Sequence, residues 1–192
     1  MKTIVITGGT GDLGSVVVPR LLGEYRCIVP YRTEESFRKL AMHANLVGVQ
    51  RLEVVASHAP LYGLVHLAGG FAEGSSPDDF AKMLEVNLMS AVLAVNAVRP
   101  HLQNGGRIVA ISSAASLTKA PKLAAYSASK TALNAFVETL AKELRDRSIT
   151  VNALLPATLD TEAKRATVAD SIALLLSDQA AGITGQLISM SV

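Results

Sequence analysis

Tyr126 and Lys130 stand four residues apart in AAYSASK, a spacing that puts both side chains on one face of a helix. A phenol with a pKa of about 10 is a poor acid or base at neutral pH. An ammonium fixed within a few Å would stabilise the phenolate and bring Tyr126 toward useful proton transfer. Such a pair also arises by chance, so its surroundings decide. The run GRIVAISS, Arg107 to Ser113, precedes it and reads as a strand. In an open parallel sheet, ligands bind beyond the carboxyl ends of the strands, which places Ser113 where it can share a substrate oxygen with Tyr126.

A second chemical feature lies near the start of the chain. TGGTGDLG, Thr7 to Gly14, follows a β-branched run and leads into a helical one. A strand turning sharply into a helix points free backbone N–H groups and the positive helix end at one spot, and glycines let a pyrophosphate approach closely. A dinucleotide is the expected ligand, with Gly8, Thr10, Gly11, Asp12, Leu13 and Gly14 around it; a tight turn that binds nothing is the bland alternative. The second strand ends in VPYRTEE, where the first charged side chain is Arg32 rather than an acid. A guanidinium there suits a 2′-phosphate and points to NADP over NAD, although Glu34 and Glu35 stand close by.

Positioning these residues takes an alternation of short β-branched runs and longer helical ones, which predicts a three-layer α/β domain around a doubly wound parallel sheet. Strands are expected at Thr3–Thr7, Arg26–Pro30, Gln50–Val55, Tyr62–Ala68, Arg107–Ser112, Ile149–Leu155 and Gln186–Met190. Helices are expected at Asp12–Leu22, Glu34–Ala44, Pro77–Leu102, Ala125–Arg147 and Val168–Leu176. Pro19 falls inside the first helix and should kink it.

Composition excludes several classes. The chain has 192 residues, 49% of them apolar, enough for one core without disulfide or metal support. Its single cysteine, Cys27, rules out a disulfide framework and a thiolate zinc site, and fits a reducing compartment. A net charge of +2, with Lys and Arg scattered, makes no basic stripe for nucleic acid. No apolar run approaches the roughly 18 residues of a membrane span, and MKTIVITGG leaves no room for a signal-peptide core, so a cytoplasmic location is expected. The four histidines read as structural or surface residues, and no metal site is expected.

Taken together, these motifs resemble the short-chain dehydrogenase/reductase family, in its single-domain branch with a YxxxK site, the 3-oxoacyl carrier-protein reductases being the nearest analogy. The resemblance runs from Lys2 to about Met190. TGGTGDLG is similar to the nucleotide turn, HLAGG (His66 to Gly70) to the NNAG element with Ala68 and Gly69 beside a ribose, and LLPATLDT to the PGxxxT segment with Pro156, Leu159 and Thr161 near the nicotinamide. It implies a Rossmann fold with strand order 3-2-1-4-5-6-7. It also implies hydride transfer between NADP(H) and a ketone or secondary alcohol, with NAD possible, and a homodimer or homotetramer. By the same resemblance Tyr126 donates the proton, Ser113 holds the carbonyl oxygen, and Lys130 binds the ribose and lowers the Tyr126 pKa. Asn87 would hold a water linking Lys130 to solvent.

The chain departs from that pattern in places. Asp12 replaces a glycine, His66 and Leu67 replace two asparagines, and Ala157 replaces the glycine after Pro156. Only ASHAPL separates the expected third and fourth strands, a span of roughly 22 Å against a reach of about 25 Å for the extended link. A second shortfall follows Arg165, where the family has a lid. The domain, 1–192, therefore carries apparent omissions near 56–61 and 165–166: either segments missing from the sequence, which the geometry favours, or links that are truly short. If truly short, the competing reading is a non-catalytic nucleotide-binding or scaffold protein that uses the helices at 77–102 and 125–147 as an oligomer surface.

Overall fold

A computed structural model describes residues 1–40 and 42–191. The strands are β1 (Lys2–Thr7), β2 (Tyr25–Pro30), β3 (Leu46–Val49), β4 (Leu61–His66), β5 (Leu102–Ile111), β6 (Thr150–Pro156) and β7 (Leu187–Met190). All pair in parallel, in the order β3-β2-β1-β4-β5-β6-β7, as expected. Strands such as KTIVIT and LYGLVH are almost continuously apolar because helices cover both faces. Successive side chains alternate between those faces. Ile4 and Ile6 pack with α1 (Gly14–Leu22) and α7 (Glu162–Leu176), whereas Val5 between them packs with α4 (Ser90–Val98) and α6 (Ala124–Glu143). Each fully buried side chain of this kind contributes about 1.5–3 kcal/mol of transfer free energy.

The short helices α2 (Glu34–Arg38), α3 (Pro77–Leu84) and α5 (Ala115–Thr118) complete the layers. Thr33 caps α2, accepting a hydrogen bond from the Ser36 N–H, and Ser76 caps α3 in a reciprocal box with Asp79. Pro19 lies on the solvent side of α1.

Several boundaries differ from expectation for identifiable reasons. The third strand lies at Leu46–Val49 rather than Gln50–Val55; the β-branched pair Val54-Val55 instead belongs to a 3₁₀ helix, Leu52–His58, that turns Val55 into the core and leaves Val54 exposed. The crossover to β4 thus starts at Gln50 and is longer than the ASHAPL link, which relieves the expected tension. The helix expected to Ala44 stops at Arg38, and Ala41 lies outside the described residues, as does Val192. Helix α7 starts at Glu162, not Val168, and runs unbroken through Arg165 and Ala166.

The expected helix Pro77–Leu102 is interrupted. Between α3 and α4 a π turn, Glu85–Met89, inserts one wide turn, and Arg99–His101 is 3₁₀. The run Pro77–His101 contains an 18-residue window whose mean hydropathy, 1.3, and length would suit a membrane span. Here its apolar stripe, Ala91, Ala94, Val95 and Val98, is buried against the sheet.

Candidate active site

The glycine turn is built by close approach. Gly8 has φ +72°, and a Cβ there would lie 2.5 Å from the Ala68 nitrogen; a Cβ on Gly14 would lie 2.2 Å from the Gly9 carbonyl oxygen. These contacts pack the start of α1 onto the ends of β1 and β4, and Leu67 N–H donates to the Thr7 carbonyl (2.9 Å) across the same seam. The resulting groove, about 570 Å³, is lined by Gly8, Thr10, Gly11, Asp12 and Leu13 on one side and by Arg32, Ala68 and Gly69 on the other. Gly14 lies beneath it, buried. The groove, floored by backbone and free of side chains at the glycines, fits the pyrophosphate of a dinucleotide.

Arg32 is exposed on the wall of this groove beside Thr33 and Ser36. Its two acidic neighbours are engaged elsewhere. Glu34 accepts a hydrogen bond from the Tyr31 hydroxyl (2.5 Å), and Glu35 pairs with Lys39 at 3.4 Å.

Beyond the ends of β5 and β6 lies a second cavity, about 270 Å³, that brings together Ser113, Tyr126, Pro156 and Leu159. Ser113 accepts a hydrogen bond from the Ala115 N–H (3.2 Å), and its hydroxyl shares the cavity with the Tyr126 phenol. Burial pushes the phenol above its ordinary pKa, and the nearby Ser113 hydroxyl opposes that rise. Against the expected lowering by Lys130 the phenol is raised; Lys130 Nζ donates to the Ile111 carbonyl at 2.9 Å and is not among the residues lining the cavity. Burial lowers Lys130 itself to about 8.

Asn87 is fully buried in the π turn, and its amide grips a loop. Oδ1 accepts from Gly70 N–H and Nδ2 donates to Gly70 C=O, both at 3.0 Å; Nδ2 also donates to Ser129 Oγ at 3.1 Å. The side chain thus acts as a clamp between the π turn, the loop after β4 and α6. Gly69 is where the groove and this network meet. It lines the groove, while a Cβ on it would lie 2.8 Å from Asn87 Oδ1 and 3.3 Å from Lys130 Nζ.

Thr161 is not drawn into either cavity. Its hydroxyl caps α7, accepting from the Lys164 N–H at 3.3 Å. The loop before it is tied to the same helix: Arg165 donates to the Leu159 carbonyl (2.7 Å), and Lys164 reaches Thr158 Oγ1 (2.6 Å) and Asp160 (2.9 Å).

Sequence reasoning missed three features. Phe71, directly after HLAGG, lines the tyrosine cavity and sets its ring edge-on to Tyr126, centroids 5.0 Å apart. Leu123 lines the same cavity, and nothing in its spacing marks it. His66, read as structural, is indeed buried, but it also joins three elements. Ser90 Oγ already donates to the Val86 carbonyl (2.7 Å), so it accepts from His66 Nε2–H (3.3 Å), and Nδ1 accepts from the Thr7 hydroxyl (2.7 Å). This neutral form is enforced by burial, which lowers the imidazole to about 4, with the Lys130 charge adding to the effect. Cys27 offers no nucleophile, since burial in β2 pushes its thiol up to about 12.

Comparison with known proteins adds to this geometry. The family model for short chain dehydrogenases matches residues 50–171. A 3-oxoacyl-[acyl-carrier-protein] reductase of Rickettsia felis is 29% identical over 230 aligned positions, covering 99% of this chain and 95% of that protein. The alignment is longer than the 192 residues of this chain, so the relative has segments without a counterpart here. Among solved structures, a short-chain dehydrogenase/reductase of Serratia marcescens superposes with TM-score 0.86 at 27% identity, covering 98% of this chain and 96% of that one. The structure of BdcA in complex with NADPH, at 24% identity, shares the fold with TM-score 0.88, covering 98% of this chain and 92% of that one.

Proposed function

Because the chain belongs to the short-chain dehydrogenase/reductase family, we propose that it is an NADPH-preferring oxidoreductase that interconverts a ketone and a secondary alcohol. The observation that carries this reading is the meeting at Gly69 of the glycine groove with Asn87 and Lys130, the latter one helical turn from Tyr126, so a nucleotide in the groove would reach toward the Tyr126 and Ser113 cavity.

Gly8, Thr10, Gly11, Asp12 and Leu13 would hold the pyrophosphate, and Ala68 and Gly69 would face a ribose. When bound, the nicotinamide supplies hydride chemistry. Everything else falls to this chain's own groups. Ser113 hydrogen-bonds the carbonyl oxygen and keeps it within reach of Tyr126. Tyr126, held as the neutral phenol by burial, donates its proton to that oxygen as negative charge develops there. That protonation state suits reduction. Lys130, with a value of about 8, sits close enough to Gly69 to meet a ribose hydroxyl and to respond when a ligand displaces its bond to Ile111. Arg32, its acidic neighbours engaged elsewhere, would pair with a 2′-phosphate. A dimer or tetramer through α4 and α6, a small-molecule substrate and a cytoplasmic setting complete the proposal. The exposed Met89 and Leu93 near and on α4 support such an interface.

The test is a fluorescence titration with NADPH and with NADH at one fixed salt concentration. Binding of NADPH about tenfold tighter, roughly 1.4 kcal/mol, is expected, and Arg32→Ala should erase most of that margin. Equal losses for both nucleotides would refute the 2′-phosphate assignment, and binding of neither would favour the scaffold reading.

A further inference from the structure

The tyrosine cavity has a wall that the reaction itself does not require. Phe71 is 65% exposed, yet the loop that carries it is fastened at both ends. At the near end, Asn87 bonds both the N–H and the C=O of Gly70. At the far end, Gly74 N–H donates to the Lys122 carbonyl (3.0 Å) and Ala125 N–H donates to the Gly74 carbonyl (3.2 Å), pinning the loop to the start of α6. The Phe71 ring touches Tyr126 edge to face, at an interplanar angle of 73°, and most of its surface remains free. An exposed aromatic ring on a restrained loop, facing a cavity and bearing on the proton donor, is organised for a ligand rather than for the core.

The rest of the cavity points the same way. Leu123, Leu159, Pro156, Ala115 and Ala157 supply apolar surface, and the hydroxyls of Ser112, Ser113 and Thr158 are the neutral side-chain polar groups beside Tyr126. Among the described residues no charged side chain lines it. Lys130 is not among the lining residues and has its ammonium on the Ile111 carbonyl, and Lys164 and Asp160 pair with each other at 2.9 Å. A carboxylate or phosphate near the reacting carbonyl would therefore be desolvated with no cation to receive it. A flat apolar substituent would instead lie against Phe71.

We propose that the cavity selects an uncharged ketone bearing an aromatic or cyclic substituent, and that Phe71 is the residue that reads that substituent. This rests on the oxidoreductase reading above. In the step, the ketone carbon receives a hydride from NADPH, which leaves as NADP⁺, and the oxygen receives a proton from Tyr126 that solvent replaces; the product is the secondary alcohol.

The experiment compares 4-phenyl-2-butanone, ethyl acetoacetate and acetoacetate as substrates with saturating NADPH, for the native chain and for Phe71→Ala and Phe71→Tyr. The native protein should show kcat/KM at least about tenfold higher for the aryl ketone than for acetoacetate. Phe71→Ala should lower the aryl ketone about tenfold more than it lowers ethyl acetoacetate, and Phe71→Tyr should restore the difference. Because Phe71 is exposed, an unchanged melting temperature is expected and checks that each variant folds. Acetoacetate reduced as well as the aryl ketone, or equal losses for all three on Phe71→Ala, would overturn the assignment. So would NADPH saturation without turnover of any probe. Failure to bind NADPH at all would instead strike the oxidoreductase reading on which it rests.

Discussion

The glycine groove and the tyrosine cavity are linked through Gly69, which lines the groove and stands beside Asn87 and Lys130, but they are made of different material. The groove is backbone: its shape depends on missing Cβ atoms at Gly8 and Gly14 and on the seam between β1 and β4. The cavity is held by buried polar side chains, Asn87, Ser129 and Lys130, each with a named partner. A site made of backbone tolerates altered side chains, so Asp12 and Leu67 can stand where the family has glycine and asparagine while the groove keeps its form. A site made of buried side chains has no such latitude, because deleting one group leaves another without a partner.

Three substitutions probe that contrast, beginning with the largest effect. Tyr126→Phe should cut kcat by about 10³-fold and leave NADPH affinity within about twofold, measured by steady-state kinetics and titration; parallel losses would mean the two sites are not separable. His66 lies on the seam between β1 and β4, bonded to Thr7. Its imidazole, at about 4 in the folded protein against an ordinary 6.5, takes up a proton on unfolding that the folded state refuses. Stability should therefore fall as pH drops from 6.5 toward 4, by up to about 3 kcal/mol from this one group. In His66→Asn that increment should be missing from urea denaturation curves across the same window, and identical pH dependence would refute the neutral bridge. Gly8→Ala should weaken NADPH about tenfold and cost about 2 kcal/mol of stability, since it strains a positive φ and drives a methyl into Ala68. Unchanged NADPH binding would break the claim that the groove is set by backbone approach.

The alternation of strands and helices and the two chemical clusters were legible because their signals are local, whereas the strand order followed from the family resemblance. TGGTGDLG and AAYSASK carry their geometry in fixed spacings, and the apolar runs of β1 and β4 identify the buried sheet. Features set by distant contacts were not legible. Val54 and Val55 have strand-forming side chains, but the chain must rise from the end of β3 to the start of β4, and packing on α4 turns the segment into a 3₁₀ helix. The direction of Lys130 depends on the Ile111 carbonyl, a partner no i,i+4 argument reveals. The role of Phe71 depends on Asn87 gripping Gly70 across seventeen positions of sequence. Thr161 matches a ligand-holding motif, yet α7 begins immediately after it and takes its hydroxyl as a cap.

The π turn at Glu85–Met89 also absorbs length. A helix advances about 100° per residue, and the wide turn spreads nearly the same rotation over one residue more, so the extra residue is taken up without turning α4. Deleting one residue there would regularise the coil and leave Ala91, Ala94, Val95 and Val98 on the sheet, but it would remove the wide turn from which Asn87 reaches Gly70. The irregularity is thus a one-residue slack in the chain: α4 keeps its seat with or without it, and only the clamp on the loop after β4 depends on its being there.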